Sequence, residues 1–184
     1  MNPEILGQAQ SIAAQVMANV SADQLENSTP CAKWNVGQLI DHLVGSQHWA
    51  RAGVDGSEMQ SGDGASQGDY NAAFAEAADA AKAAFAEEGA MERTVNPGFG
   101  DMPAAALLGL AVTDTFTHAW DLATATGQDN NLAPEMAQQL LAASQQSIQP
   151  AFRSEEGDIF GLEQQAPEGA NAASQLAAFL GRRV

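Results

Sequence analysis

Residues 103–127 read PAAALLGLAVTDTFTHAWDLATATG, and the fold turns on how this stretch is folded. Pro103 suits the first turn of a helix and Gly127 the position just past its end; the only glycine between them is Gly109. At a helical repeat, Leu107, Leu110, Ala111, Asp114, His118, Asp121 and Ala125 share one stripe, with Val112, Phe116 and Trp120 roughly opposite. A helix apolar on nearly every side is buried among other helices. Asp114 and His118 therefore lie on an apolar face, where an unpartnered charge costs on the order of several kcal/mol. Spaced four apart, they can share a proton, a hydrogen bond or a metal ion. Spacing alone leaves a plain helix-surface Asp–His pair equally open.

The totals narrow the class. A chain of 184 residues, 45% of them apolar, fits one domain with a sizeable core and argues against wholesale disorder. Strand formers are thin and alanine abundant, so an all-α fold is expected. The single cysteine, Cys31, excludes an internal disulfide framework and any cysteine-rich zinc site. A lone cysteine reads more simply as a small buried hydrophobe than as a reactive thiol. The formal charge of −16, from 7 Lys+Arg against 23 Asp+Glu, repels phosphate backbones, so no nucleic-acid partner is expected. No apolar run approaches the ~20 residues of a membrane span, and the start lacks a signal-peptide pattern. A soluble, cytoplasmic protein is the expectation.

Around the central helix the same logic places others. Ile5, Ala9, Ile12, Ala13, Val16, Met17 and Val20 predict an amphipathic helix over 3–20. Residues 21–34 connect it to a second helix opened by Asn35, with Gln38 completing a variant capping box. Val36, Leu39, Ile40, Leu43 and Val44 make that helix's apolar arc, and Gln38, His42, Gly45 and Trp49 a second stripe beside it. His42 is read either as a hydrogen-bonded boundary histidine or as a ligand facing a neighbouring helix; His48 reads as surface. Trp34, Trp49 and Trp120 read as core, Trp49 with the further option of lining a pocket.

The Gly-, Ser- and Asp-rich residues 55–68 predict a loop. An Ala-rich helix over 69–88 turns Tyr70, Phe74, Ala77, Ala78, Ala81 and Phe85 inward. A turn-rich connection fills 94–102. Pro134 opens a further helix with Met136, Leu140, Ala143, Ser144 and Ile148 along its inner edge. In the tail, Ile159-Phe160 sits among glycine and acids, Asn171 to Leu180 predict a short helix ended by Gly181, and GRRV is expected at or near the surface. Residues 1–150 are read as the bundle, and 151–184 as an extension packing on it within the same domain.

Three residues stand out: His42, Asp114 and His118. Two imidazoles and a carboxylate are a common ligand set for zinc, nickel, iron or manganese, and three protein ligands leave a position open for chemistry. Asp121 is placed to hydrogen-bond a ligand imidazole or, equally, to cap or pair at the surface.

The segments TPCAKWNVGQLIDHLVGS, THAWDLATATGQD and QLAAFLGRRV together resemble proteins related to the mycothiol-dependent maleylpyruvate isomerase N-terminal domain. That domain belongs to the DinB/YfiT-like superfamily of metal-binding four-helix bundles. The resemblance implies a three-ligand divalent metal site, zinc first, matching His42 on the second helix and Asp114 with His118 on a later one. Where the isomerase has Glu, this sequence has Asp114, one methylene shorter. The resemblance also implies a thiol-dependent transferase or isomerase-like activity with a small-molecule thiol or electrophile as partner; a homodimer is compatible with it. A non-catalytic metal- or ligand-binding bundle is the alternative. Maleylpyruvate isomerisation itself is not expected, because the chain is too short to include a full copy of the isomerase's second domain.

Overall fold

The computed structural model describes residues 1–155 and 160–184. Among them are six α-helices: α1 (Pro3–Met17), α2 (Val36–Asp55), α3 (Tyr70–Ala86), α4 (Ala104–Ala125), α5 (Pro134–Ser147) and α6 (Ala172–Phe179). The all-α expectation holds. Among the described residues, paired strands are two residues long: β1 (Thr94–Val95) antiparallel with β2 (Met102–Pro103), and β3 (Arg153–Ser154) parallel with β4 (Phe160–Gly161).

Helices α1 to α4 form the bundle, with α2 packed on α3 and α4, and α1 on α3 and α4. Helix α6 lies against α5 and α4. Two apolar clusters fill the interior. One gathers Leu6, Phe85, Leu107, Leu108, Phe116, Trp120 and Leu176; the other gathers Met17, Val36, Leu39, Leu43, Phe74 and Leu122. Each fully buried Leu or Phe contributes about 1.5–3 kcal/mol. Helix α4 supplies both clusters, which is why its apolar residues run right round it. A buried polar tie crosses the bundle. Gln10 Nε2 donates to Gln47 Oε1 at 2.9 Å and to the Ala78 carbonyl at 3.0 Å, and Gln47 Nε2 donates to Thr115 Oγ1 at 2.9 Å. Satisfied in this way, the amides fix the relative register of α1 to α4.

Several expectations shift in detail. Helix α1 ends at Met17, and Val20 is buried from the connection that follows. Pro103 is the N-cap of α4 with extended backbone, held there by pairing with Thr94. On α5 the buried edge is Met136, Ala137, Leu140 and Ser144, whereas Ala143 is exposed. In the tail, Asn171 caps α6 by accepting from Ser174 N, while Ile159 lies outside the described residues. Arg183 and Val184 are exposed, but the Arg182 side chain turns inward and is only 13% exposed. No helix among the described residues is long and apolar enough to cross a membrane.

Candidate metal centre

His42 stands two turns into α2, and the start of that helix is fixed. Asn35 Oδ1 accepts from Gln38 N at 2.9 Å while Gln38 Oε1 accepts from Asn35 N at 3.0 Å, the reciprocal capping box. Just before the cap, Trp34 stacks on the His42 ring, with centroids 4.4 Å apart and planes 28° from parallel. Sequence reasoning read Trp34 as core; it is half-buried and orients an imidazole instead.

Across the interface α4 presents Asp114 and His118. Nε2 of His42 lies 3.1 Å from Asp114 Oδ1 and 3.3 Å from Oδ2, and Nε2 of His118 lies 3.4 Å from the same Oδ1. The ligand-type atoms of these three residues all fall within 4.8 Å of one another. The shorter Asp side chain therefore still reaches both rings. The rings pack edge to face with centroids 4.5 Å apart.

Behind His118 runs a second layer of bonds. Its Nδ1–H donates to Asp121 Oδ2 at 2.9 Å, and Asp121, fully buried, also accepts from Arg182 Nη2 at 3.0 Å and Nε at 3.3 Å. This fixes the His118 tautomer with Nε2 turned to Asp114, the carboxylate–histidine arrangement that supports metal ligation. Arg182 was missed by sequence reasoning: a basic doublet near the end of the chain has no local pattern tying it to Asp121.

The electrostatics follow. Burial works against ionised Asp114, but the two imidazoles outweigh it and hold its carboxyl well below the usual range. Burial likewise opposes a charged His118, yet Asp114 and the bonds to both carboxylates raise its pKa. Asp121 is held low, the Arg182 guanidinium overcoming the cost of burial.

A second donor group, Cys31 with His118 and Asp121, is equally compact. It suits a cation less well. Burial pushes the Cys31 thiol up, away from the thiolate a metal needs, and Asp121 is already committed to Arg182 and to His118 Nδ1–H. The donor chemistry thus fits a divalent ion at His42, Asp114 and His118.

Asp114 also forms part of the wall of two cavities, and Trp49 lines both. One, of about 550 Å³, is bounded by Trp34, Gln38, His42, Ser46 and the loop residues Met59, Ser61 and Asp63. The 55–68 loop is pinned over α2: Asp41 accepts from Ser66 N at 2.7 Å, and Gly62 lies so close to Gly45 that a Cβ on it would sit 2.8 Å from the Gly45 Cα. The other cavity, of about 370 Å³, opens on the His118 side and is mostly apolar.

The family model described as mycothiol maleylpyruvate isomerase N-terminal domain matches residues 6–123. The chain belongs to this family. The match contains His42, Asp114, His118 and Asp121, and stops short of α5, α6 and Arg182. Two uncharacterized proteins of Mycobacterium tuberculosis, from strains CDC 1551 / Oshkosh and H37Rv, are each 41% identical to the chain over 180 residues, covering 96% of it and 94% of the relative. No solved structure is significantly similar.

Proposed function

We propose that this protein is a divalent-metal-dependent enzyme acting with a low-molecular-weight thiol, a thiol S-transferase or isomerase-like catalyst, with zinc as the metal and nickel, iron or manganese as competitors. The observation that carries the reading is the convergence of two Nε2 atoms on one carboxylate, backed by the His118–Asp121–Arg182 relay. His42, Asp114 and His118 would be the ligands. Zinc held there would bind a thiol sulfur and lower its pKa, so that thiolate is present at neutral pH.

The chain's own residues do the rest. Trp34 and Asp121 lock the two imidazoles in their ligating orientations. The 550 Å³ cavity beside His42, with amide, hydroxyl and carboxylate groups in its wall, suits a small polar thiol. Membership of a mycothiol-related family supports the thiol part of the reading. The packing of α6 on α4 and α5 supports treating residues 151–184 as an extension of the same domain, and a free Cys31 suits the reducing cytoplasm.

Elemental analysis of protein purified without a metal-affinity step and dialysed against zinc should find close to one equivalent per chain. His118→Ala should retain far less and lose thiol-dependent turnover with it. Equal metal in both proteins would refute the ligand assignment. Full metal occupancy without turnover of any thiol would instead favour a non-catalytic metal-binding bundle.

A further inference from the structure

The loop between α2 and α3 supplies Met59, Ser61, Gly62 and Asp63 to the cavity beside His42, sharing its wall with Trp34, Trp49 and Asp114. The segment that carries them runs between two glycines in the left-handed region, Gly56 at φ +74° and Gly64 at φ +81°. A Cβ on either would meet nothing within 4 Å, so both turn in open surroundings with the freedom peculiar to glycine. The hydrogen bonds that fasten the segment sit at its two ends. Ser57 N donates to Asp55 Oδ1 at 2.8 Å, and Asp41 accepts from Gly64 N at 3.2 Å and from Ser66 N at 2.7 Å. Between them, Glu58, Met59 and Gln60 are exposed and form no hydrogen bond among the described residues.

One contact holds the middle down. Gly62 is buried against α2, where a Cβ on it would lie 2.8 Å from the Gly45 Cα and closer still to the Asp41 carbonyl oxygen. Backbone rests on backbone there, and no side chain fits between. Gly62 and Gly45 share no hydrogen bond, so the seat is held by short-range packing that falls away steeply once the two separate. A segment with so few fastenings opens at low free energy. The seat lies beside His42 on the same helix, while α2 and α4 stay tied to each other through Gln47 and Thr115.

We infer that residues 57–63 are a flap, hinged at Gly56 and Gly64, that narrows the His42-side cavity when Gly62 seats on Gly45 and widens it when the seat is lifted. The cavity thus opens to an incoming ligand without any movement of the helices that carry His42 and Asp114. A seated flap limits the water that reaches this side of the centre, and lifting it sets the rate at which ligand enters and leaves. What passes beneath the flap rests on the proposed thiol chemistry; the movement itself does not.

The flap is tested first on the metal-free full-length chain by acrylamide quenching of tryptophan fluorescence. Trp34 and Trp49 line the cavity, whereas Trp120, the third tryptophan, is buried. Gly62→Ala, which cannot seat, should raise the quenching constant about twofold with the helical circular dichroism unchanged. Gly45→Ala places a Cβ 3.3 Å from Gly62 N, so it presses on the flap while favouring the helix that carries it. Quenching should rise to a lesser degree there, with a Tm no lower than that of the wild type. In the wild type, NMR relaxation dispersion should detect microsecond-to-millisecond exchange at Gly62, Asp63 and Gly64 and none at Leu43 or Val44. In zinc-loaded Gly62→Ala, transfer of the metal to excess chelator should quicken several-fold with the zinc Kd unchanged, since a gate speeds entry and exit alike. Quenching that neither substitution alters, or a wild-type loop without dispersion, would make the loop a fixed wall and overturn the inference. A Kd that weakens in step with faster release would also overturn it, by showing that Gly62 supports the ligands themselves. A chain that takes up no zinc would sink the metal reading alone, and quenching and dispersion would still decide the flap.

Discussion

At the scale of single residues the centre is a competition between a proton and a cation for His118 Nε2. Nδ1–H is committed to Asp121, so a proton on Nε2 gives an imidazolium clamped between two carboxylates, and its folded pKa rises above the ordinary 6.5. A raised histidine pKa stabilises the metal-free fold fully below about 6.5, a contribution lost as pH climbs through the folded value. Metal binding runs the other way, since the ion can ligate only after that proton leaves. Asp114, held well below the usual carboxylate range, stays ionised throughout and adds no proton of its own. Apparent zinc affinity should therefore fall by up to about tenfold per pH unit once the pH drops below the raised pKa. Calorimetry at pH ~6.5 in two buffers of different ionisation heat should show protons released on binding. Heats independent of the buffer would mean that His118 is not a ligand. The helical spacing of Asp114 and His118 made this pair visible in the sequence, and the stripe on α2 made His42 a candidate. Arg182 was invisible, because its contact with Asp121 bridges 61 residues and no local periodicity encodes it.

At the scale of elements, the tail is the part whose fit is most exacting. Gly181 adopts φ +101°, a conformation that L side chains rarely adopt, and a Cβ there would lie 2.6 Å from the Gly161 Cα. Arg153 clasps the same junction, its Nη1 donating to the carbonyls of Gly161 at 2.9 Å and Phe179 at 2.7 Å. The next residue is Arg182, so the Gly161–Gly181 contact aims the guanidinium at Asp121. Gly181→Ala should cost about 1–3 kcal/mol through backbone strain alone, read as a lower urea midpoint. By loosening Arg182 it should also weaken zinc binding roughly tenfold with all three ligands intact, as disturbed outer hydrogen bonds do. Lost stability with unchanged zinc affinity would reduce the relay to a structural fastening. The helices themselves were legible because apolar residues recur at helical spacing and because Asn35 and Asn171 are strong caps. Their edges were less so. Pairing of Pro103 with Thr94 moved one boundary, and burial on α5 chose Ala137 where periodicity had favoured Ala143, two alanines that sequence alone cannot rank.

At the scale of the whole molecule, the metal should add stability without creating the fold. A zinc finger has too little apolar interior to fold without its ion. Here both clusters are closed by side chains such as Leu39, Leu43, Phe74, Leu107, Phe116 and Trp120, and the cross-bundle tie runs through Gln10, Gln47 and Thr115; none of these is a candidate ligand. The chelated protein should accordingly keep its helical circular dichroism and unfold cooperatively. An ion that binds only the native state stabilises it by mass action, about 2.7 kcal/mol at a hundred times its Kd. For a chain of this size that corresponds to a rise in Tm of roughly 5–10 °C. Scanning calorimetry with zinc, nickel, manganese and ferrous iron in turn would rank the metals by the shift each produces, and His118→Ala should abolish the shift for all of them. A chelated chain that is unfolded would make the ion structural. A chain whose Tm ignores every one of the four metals would leave His42, Asp114 and His118 as a hydrogen-bonded cluster inside an otherwise self-sufficient bundle.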